Sequence, residues 1–186
     1  MTQATTSSLP PLADPETLSV WLGVPPEDRQ LQTALQAASD RFRGAVRHPV
    51  SLVKQDRVEL DGNGTAAVLL PAAPVVEVHT VQLDGNEITD RCSISRDGRL
   101  RRRGKLFPDR LGCLQVTYTH GYEPVPDDIA EVVIDQARAM HSMRPGVSQV
   151  QTAAESVSFG QASTVGVTAQ WSNVVAAYRL NRGDRA

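Results

Sequence analysis

The residues able to do chemistry are few and scattered. His48, His79, His120 and His141 fall on a helix end, a strand, a turn and a helix, and none has a partner at metal-ligand or Ser-His-Asp spacing. Each therefore reads as structural, and no metal site follows. Asp61-Gly62-Asn63-Gly64 resembles the start of a calcium loop, but the position of the closing bidentate glutamate holds Ala72, which excludes an EF-hand. Gly104-Lys105 lacks the upstream glycine and the following Ser/Thr of a phosphate loop, and no G-x-S-x-G elbow occurs. Asp127 and Asp128 open a helix, where carboxylates meet the positive end of the dipole, so capping explains them without catalysis. Cys92 and Cys113 have no CxxC spacing and read as reduced thiols packed like small hydrophobes. The chain offers no recognisable active site and calls for no cofactor.

One charged feature stands out. Arg96, Arg99, Arg101, Arg102, Arg103, Lys105 and Arg110 cluster, opposed by Asp97 and Asp109. The cluster is either a solvated hairpin tip or a contact for phosphate or for an acidic partner surface, with Arg99, Arg101, Arg102, Arg103 and Lys105 as its contact residues. No aromatics interleave to stack bases, so duplex contact fits better than single-strand binding. The formal charge of −2 argues against nucleic-acid binding by the whole surface.

Positioning these residues requires an α+β fold. The 186 residues suit one domain with a subdomain, and three Phe, two Trp and three Tyr leave the core to Val, Leu, Ala and Ile. Residues 1–13 are rich in Thr, Ser and Pro and read as a flexible tail, leaving 14–186 as the single domain. Asp14-Pro15 caps a short helix with an apolar stripe of Leu18, Trp21 and Leu22, stopped by Gly23. Pro25-Pro26-Glu27-Asp28 opens a second helix, burying Leu31, Ala34, Leu35, Ala38, Phe42, Ala45 and Val46. Over 50–119 the pattern turns to strands punctuated by Asp61-Gly62-Asn63-Gly64, Asp84-Gly85 and Asp97-Gly98, each expected to close a hairpin. The expected architecture is a bundle of about four helices, near 15–22, 27–47, 126–143 and 168–181, with a small antiparallel β-subdomain inserted at about 50–119. Neither a leader nor an apolar run near membrane-spanning length occurs, so neither secretion nor insertion is expected.

Two segments are unusual. The helix after Pro126 carries Ile129, Ala130, Val132, Val133, Ile134, Ala137, Ala139 and Met140, leaving one narrow polar stripe of Glu131, Asp135, Arg138 and Ser142. Such a helix is covered on most sides, by its own core or by a neighbouring subunit, and periodicity favours neither. Residues 147–167 hold Glu155 as their only charge. They are either disordered or an extended interaction segment in which residues 156–159 add a strand to another chain. The last helix, capped by Thr168, presents Trp171, Val174, Val175 and Tyr178 on one face.

The stretch VTYTHGYEPVPDDIAEVVIDQARAM resembles a pattern of tailed-bacteriophage head-to-tail adaptor (head completion, connector) proteins. These show a Y-x-x-G-Y strand end, a V-P-x-D-[IL] helix start and an Ala/Val-rich helix. Trp21-Leu22-Gly23, the long helix at 30–47, ESVSFG at 155–160 and Tyr178-Arg179 extend the resemblance over nearly the whole chain. It implies a non-enzymatic ring, typically a dodecamer, seated beneath the portal and above the stopper or tail, with double-stranded DNA in its lumen. Its place would be the virion, reached through assembly in the host cytoplasm. The resemblance assigns Ile129, Val132, Val133, Ala137 and Met140 to subunit packing, and Val157, Phe159, Trp171 and Tyr178 to portal or neighbour contact. The competing classes are a nucleic-acid-binding accessory protein using the arginine hairpin, another virion ring such as a stopper or tail terminator, and an enzyme lacking a recognisable constellation.

Overall fold

The computed structural model describes residues 9–142 and 168–180. They form two compact units, one of helices and one of strands.

The helical unit comprises α1 (Pro15–Leu22), α2 (Arg29–Val46), α3 (Asp127–Ser142) and α4 (Ala169–Tyr178). Local chemistry sets the boundaries. The Asp14 carboxylate accepts the Glu16 N–H at 3.0 Å, and Gly23, at φ 67°, returns its N–H to the Ser19 carbonyl at 2.8 Å. Asp28 Oδ1 accepts the N–H groups of Gln30 and Leu31 at 2.8 and 2.9 Å, and Thr168 Oγ1 accepts that of Trp171 at 3.1 Å. The core is built from Leu18, Leu31, Leu35, Ala38, Phe42, Val46, Ile129, Val132, Val133, Ala137 and Trp171. Ala45 of the expected α2 face is only half-buried, while Arg43, outside that face, is buried. Arg43 donates to the Pro10 carbonyl and pairs with Asp40 at 3.1 Å; burial pushes its pKa down, and Asp40 counters that shift.

Two expectations are corrected here. The end of the segment read as a flexible tail is anchored: Leu12 is buried, its N–H donates to Ser39 Oγ at 3.0 Å, and Gln36 holds the Leu9 carbonyl at 3.2 Å. Residues 1–8 lie outside the described residues. Trp21, expected in the buried stripe of α1, is 62% exposed, because Leu18 alone fills the core side of so short a helix.

The strand unit holds two antiparallel sheets. One has the order β1 (Val53–Leu60), β7 (Leu114–His120), β3 (Val75–Leu83), β4 (Asn86–Glu87); the other runs β2 (Ala67–Leu69), β6 (Arg99–Arg102), β5 (Cys92–Ile94). A 3-10 turn, Thr89–Arg91, links β4 to β5. Their inner faces share one core of Val68, Leu70, Val75, Val81, Ile88, Leu100, Phe107, Cys113, Leu114, Val116 and Tyr118. The hairpin expectation holds for Asp84-Gly85, where Leu83 faces Asn86, and for Asp97-Gly98, where Ile94 faces Leu100.

It fails at Asp61-Gly62-Asn63-Gly64. β1 pairs with β7 and β2 with β6, so the strands on either side enter different sheets. The turn is committed elsewhere: Gly62 donates to the Arg110 carbonyl at 2.8 Å, and Asp61 Oδ1 accepts the Gly112 N–H at 2.7 Å. Asn63 Oδ1 takes the Thr65 N–H at 3.1 Å, an Asx-type turn that ends pairing locally.

β7 is hydrogen-bonded along both edges, and its end explains the spacing Tyr118-Thr119-His120-Gly121-Tyr122. Gly121 sits at φ 99° and donates to the Pro74 carbonyl at 2.9 Å, while Tyr122 donates to Val50 and accepts from Leu52 at 2.8 and 3.0 Å. A Cβ on residue 121 would stand 2.3 Å from the Ser51 carbonyl oxygen. Three residues before Gly121, burial pushes the Tyr118 phenol up to about 12; the Asp56 carboxylate adds to the shift and the Ala72 backbone opposes it. Asp56 also meets His120 Nε2 at 3.0 Å across the β1–β7 pair, and Thr119 Oγ1 lies 2.9 Å from His79 Nε2.

Two measurements test this description. Gly121→Ala combines a forbidden φ with a backbone clash, so chemical denaturation is expected to show a loss of about 3 kcal/mol or more. Because the folded pKa of Tyr118 lies above the ordinary value of 10.0, its contribution is intact below that pH and is lost as pH rises toward 12. Stability measured across that window is expected to fall by about 2–3 kcal/mol, and Tyr118→Phe to flatten the fall.

Candidate functional site: charged and aromatic surfaces

The arginine run does not act as one patch. In β6 the side chains alternate, so Leu100 enters the core while Arg99 and Arg101 stand exposed on the outer face of the three-stranded sheet. Cross-strand register places Leu69 opposite Arg99, and Ala67 and Ser93 opposite Arg101. The outer face is therefore a cation pair set against an exposed leucine. Arg102, on the other face, donates Nη1–H to the Leu106 carbonyl at 2.9 Å, and Arg103 donates Nη2–H to the Cys92 carbonyl at 3.3 Å. These two guanidiniums pin the loop that follows β6. Arg110 pairs with Asp84.

Among the described residues neither Arg99 nor Arg101 makes an ion pair, and Lys105 is exposed. Asp97 is the acid beside Arg99 in sequence. Its carboxyl is held below the usual range first by a hydrogen bond from Ser95 and by its own backbone, and only last by Arg99. Burial pushes the Cys92 thiol up, with Arg102 and Arg103 pulling it back; Cys92 and Cys113 are free thiols.

The residues assigned to subunit packing are covered within the chain itself. Ile129, Val133 and Ala137 are fully buried and Val132 nearly so, while Met140 is half-buried. Of the residues assigned to portal or neighbour contact, Trp171 is 4% exposed, edge-on to Phe42 at a centroid distance of 5.3 Å, so it belongs to this chain's core. Tyr178 is half-buried and donates its hydroxyl to Asp128 Oδ1 at 2.9 Å. Val157 and Phe159 lie outside the described residues, as does the whole segment 147–167.

The aromatic surface that sequence reasoning missed is on α1. Val20 is 84% exposed beside Trp21, and the Arg138 guanidinium lies 4.8 Å from the Trp21 ring centroid. Leu18 is the buried residue of this two-turn helix, which leaves Val20 and Trp21 together on its outer side. Among the described residues no group of three or more His, Cys, Asp and Glu side chains could hold a metal, and no helix is long and apolar enough to cross a membrane.

The two tryptophans are expected to separate cleanly in thermal unfolding. Trp171→Ala costs about 3–5 kcal/mol by opening a core cavity, whereas Trp21→Ala stays within about 1 kcal/mol. Arg102→Ala, which frees the loop after β6, falls between them at about 1–2 kcal/mol.

No curated protein matches the sequence. Among solved structures, the chain resembles a protein from the neck of a native GTA particle computed with C12 symmetry: TM-score 0.63, 19% identity, covering 100% of this chain and 99% of that one. It also resembles one from the neck of an empty GTA particle computed with C6 symmetry, with TM-score 0.59, 16% identity and 100% and 96% coverage. At such identities the likeness establishes a shared fold. The family model for head completion proteins matches residues 20–180, so both units are spanned, and the chain belongs to the head completion protein family.

Proposed function

We propose that this protein is a non-catalytic ring subunit of a tailed-phage-like virion. The ring sits beneath the portal, connects the capsid vertex to the stopper or tail, and surrounds the DNA channel. The observation that carries this reading is the head completion family match over residues 20–180. Its support is full-length likeness to proteins from particle necks computed with C12 and C6 symmetry, the symmetries of closed rings.

The physical chemistry is consistent with a structural role. Two pairs of titratable groups, Asp56 with His120 and Asp128 with Tyr178, staple strands and helices together. The partners in this reading are further copies of the chain, the portal, a stopper or tail protein and packaged duplex DNA. Arg99, Arg101 and Lys105 supply a cationic face for an anionic neighbour. The segment 147–167, with Val157 and Phe159, is assigned to portal or neighbour contact on its sequence alone. Assembly takes place in the host cytoplasm and the product resides in the virion.

Electron microscopy of the full chain mixed with its portal tests the reading. The expected outcome is a ring of this protein coaxial with the portal. A protein that remains monomeric and unattached at every ratio overturns it.

A further inference from the structure

Two exposed surfaces lack an occupant among the described residues, and their chemistries are complementary. The first is the outer side of α1. Residues 16, 17, 20 and 21 share one helical face by three- and four-residue spacing, so Glu16, Val20 and Trp21 stand together there. Both apolar residues project into solvent, Val20 at 84% and Trp21 at 62% exposure. Arg138 stacks on the ring and is itself engaged by Asp135 at 3.5 Å. With Asp14 and Glu16 exposed on the same helix end, carboxylates outnumber the single guanidinium.

The second surface is the outer face of the β2-β6-β5 sheet. Leu69, 46% exposed, lies directly across from Arg99, and Arg101 follows on the same face. Neither arginine is neutralised by an ion pair among the described residues. One surface is thus apolar and acidic, the other apolar and basic.

We infer that these are the two halves of a single head-to-tail contact between copies of this chain: Glu16, Val20 and Trp21 of one copy seat against Leu69, Arg99 and Arg101 of the next. The inference rests on the ring reading above and names the contact that closes the ring. A ring built from one repeated heterologous contact needs two different, mutually complementary patches on every subunit, and these two meet that requirement. Trp and Arg are the side chains that most often anchor interfaces, because a large ring or a planar cation fills a pocket at small entropic cost. An exposed tryptophan meeting a solvent-exposed arginine pair also gains a cation–π contact. Charge complementarity then fixes register and disfavours pairing of like surfaces.

The test is a charge swap in the full chain. Wild type, Trp21→Ala, Arg99→Glu, Glu16→Arg and the double variant Glu16→Arg/Arg99→Glu are compared for ring formation by sedimentation velocity and negative-stain microscopy, alone and with portal. Melting temperature is the folding control, and binding of a short DNA duplex over a salt series is measured in parallel. The expected result is a loss of at least tenfold in ring formation for each single variant at unchanged melting temperature, with recovery in the double variant. Wild type and single variants forming rings equally well overturns the proposal and leaves the ring reading standing. So does Arg99→Glu that abolishes duplex binding but spares the ring, which would assign the sheet face to DNA. A wild type that forms no ring in either setting overturns both.

Discussion

The strand unit depends on β7 being hydrogen-bonded along both edges. Its register fixes β1 on one side and β3 on the other, and its side chains Leu114, Val116 and Tyr118 fill the center of the shared core. A strand so placed has no solvent edge on which to relieve an error, so a slip of one residue would turn every core side chain outward. The chain protects that register at the strand's end. Gly121 takes a left-handed turn against the Ser51 backbone, and Asp56 reaches His120 across the β1–β7 pair.

In the helical unit, Ile129, Val132, Val133, Ala137 and Trp171 are buried within the chain itself. α3 is apolar because α1, α2 and α4 all pack on it, and Trp171 is spent on Phe42. Among the described residues of this unit, the large apolar side chains left exposed are Val20 and Trp21. The apolar groups free to associate are thus those the fold could not use.

The arginine run shows the same division within a few residues. Arg102 and Arg103 look equivalent to Arg99 and Arg101 in sequence, yet two of the four guanidiniums are tied to backbone carbonyls and two are presented to solvent. The alternation of a β-strand sets the faces of Arg99 to Arg102, and the turn after β6 directs Arg103 back to Cys92. A count of positive charge would have overstated the cationic face presented to solvent.

Much of the architecture was legible in the residues themselves: helix limits from Asp14, Gly23, Asp28 and Thr168, hairpins from Asp84-Gly85 and Asp97-Gly98, and the α+β order from the change in apolar period. These are local effects, settled by hydrogen bonds and dihedral preferences within a few residues of the signal. The tertiary structure alone decided that Asp61-Gly62-Asn63-Gly64 separates two sheets, that residues 9–13 lie on α2, that Trp171 is core and that Trp21 is surface. The first three of those outcomes turn on a partner distant in the chain — Arg110 for Gly62, Ser39 for Leu12, Phe42 for Trp171 — and a residue's own type and spacing carry no record of which distant group will reach it first.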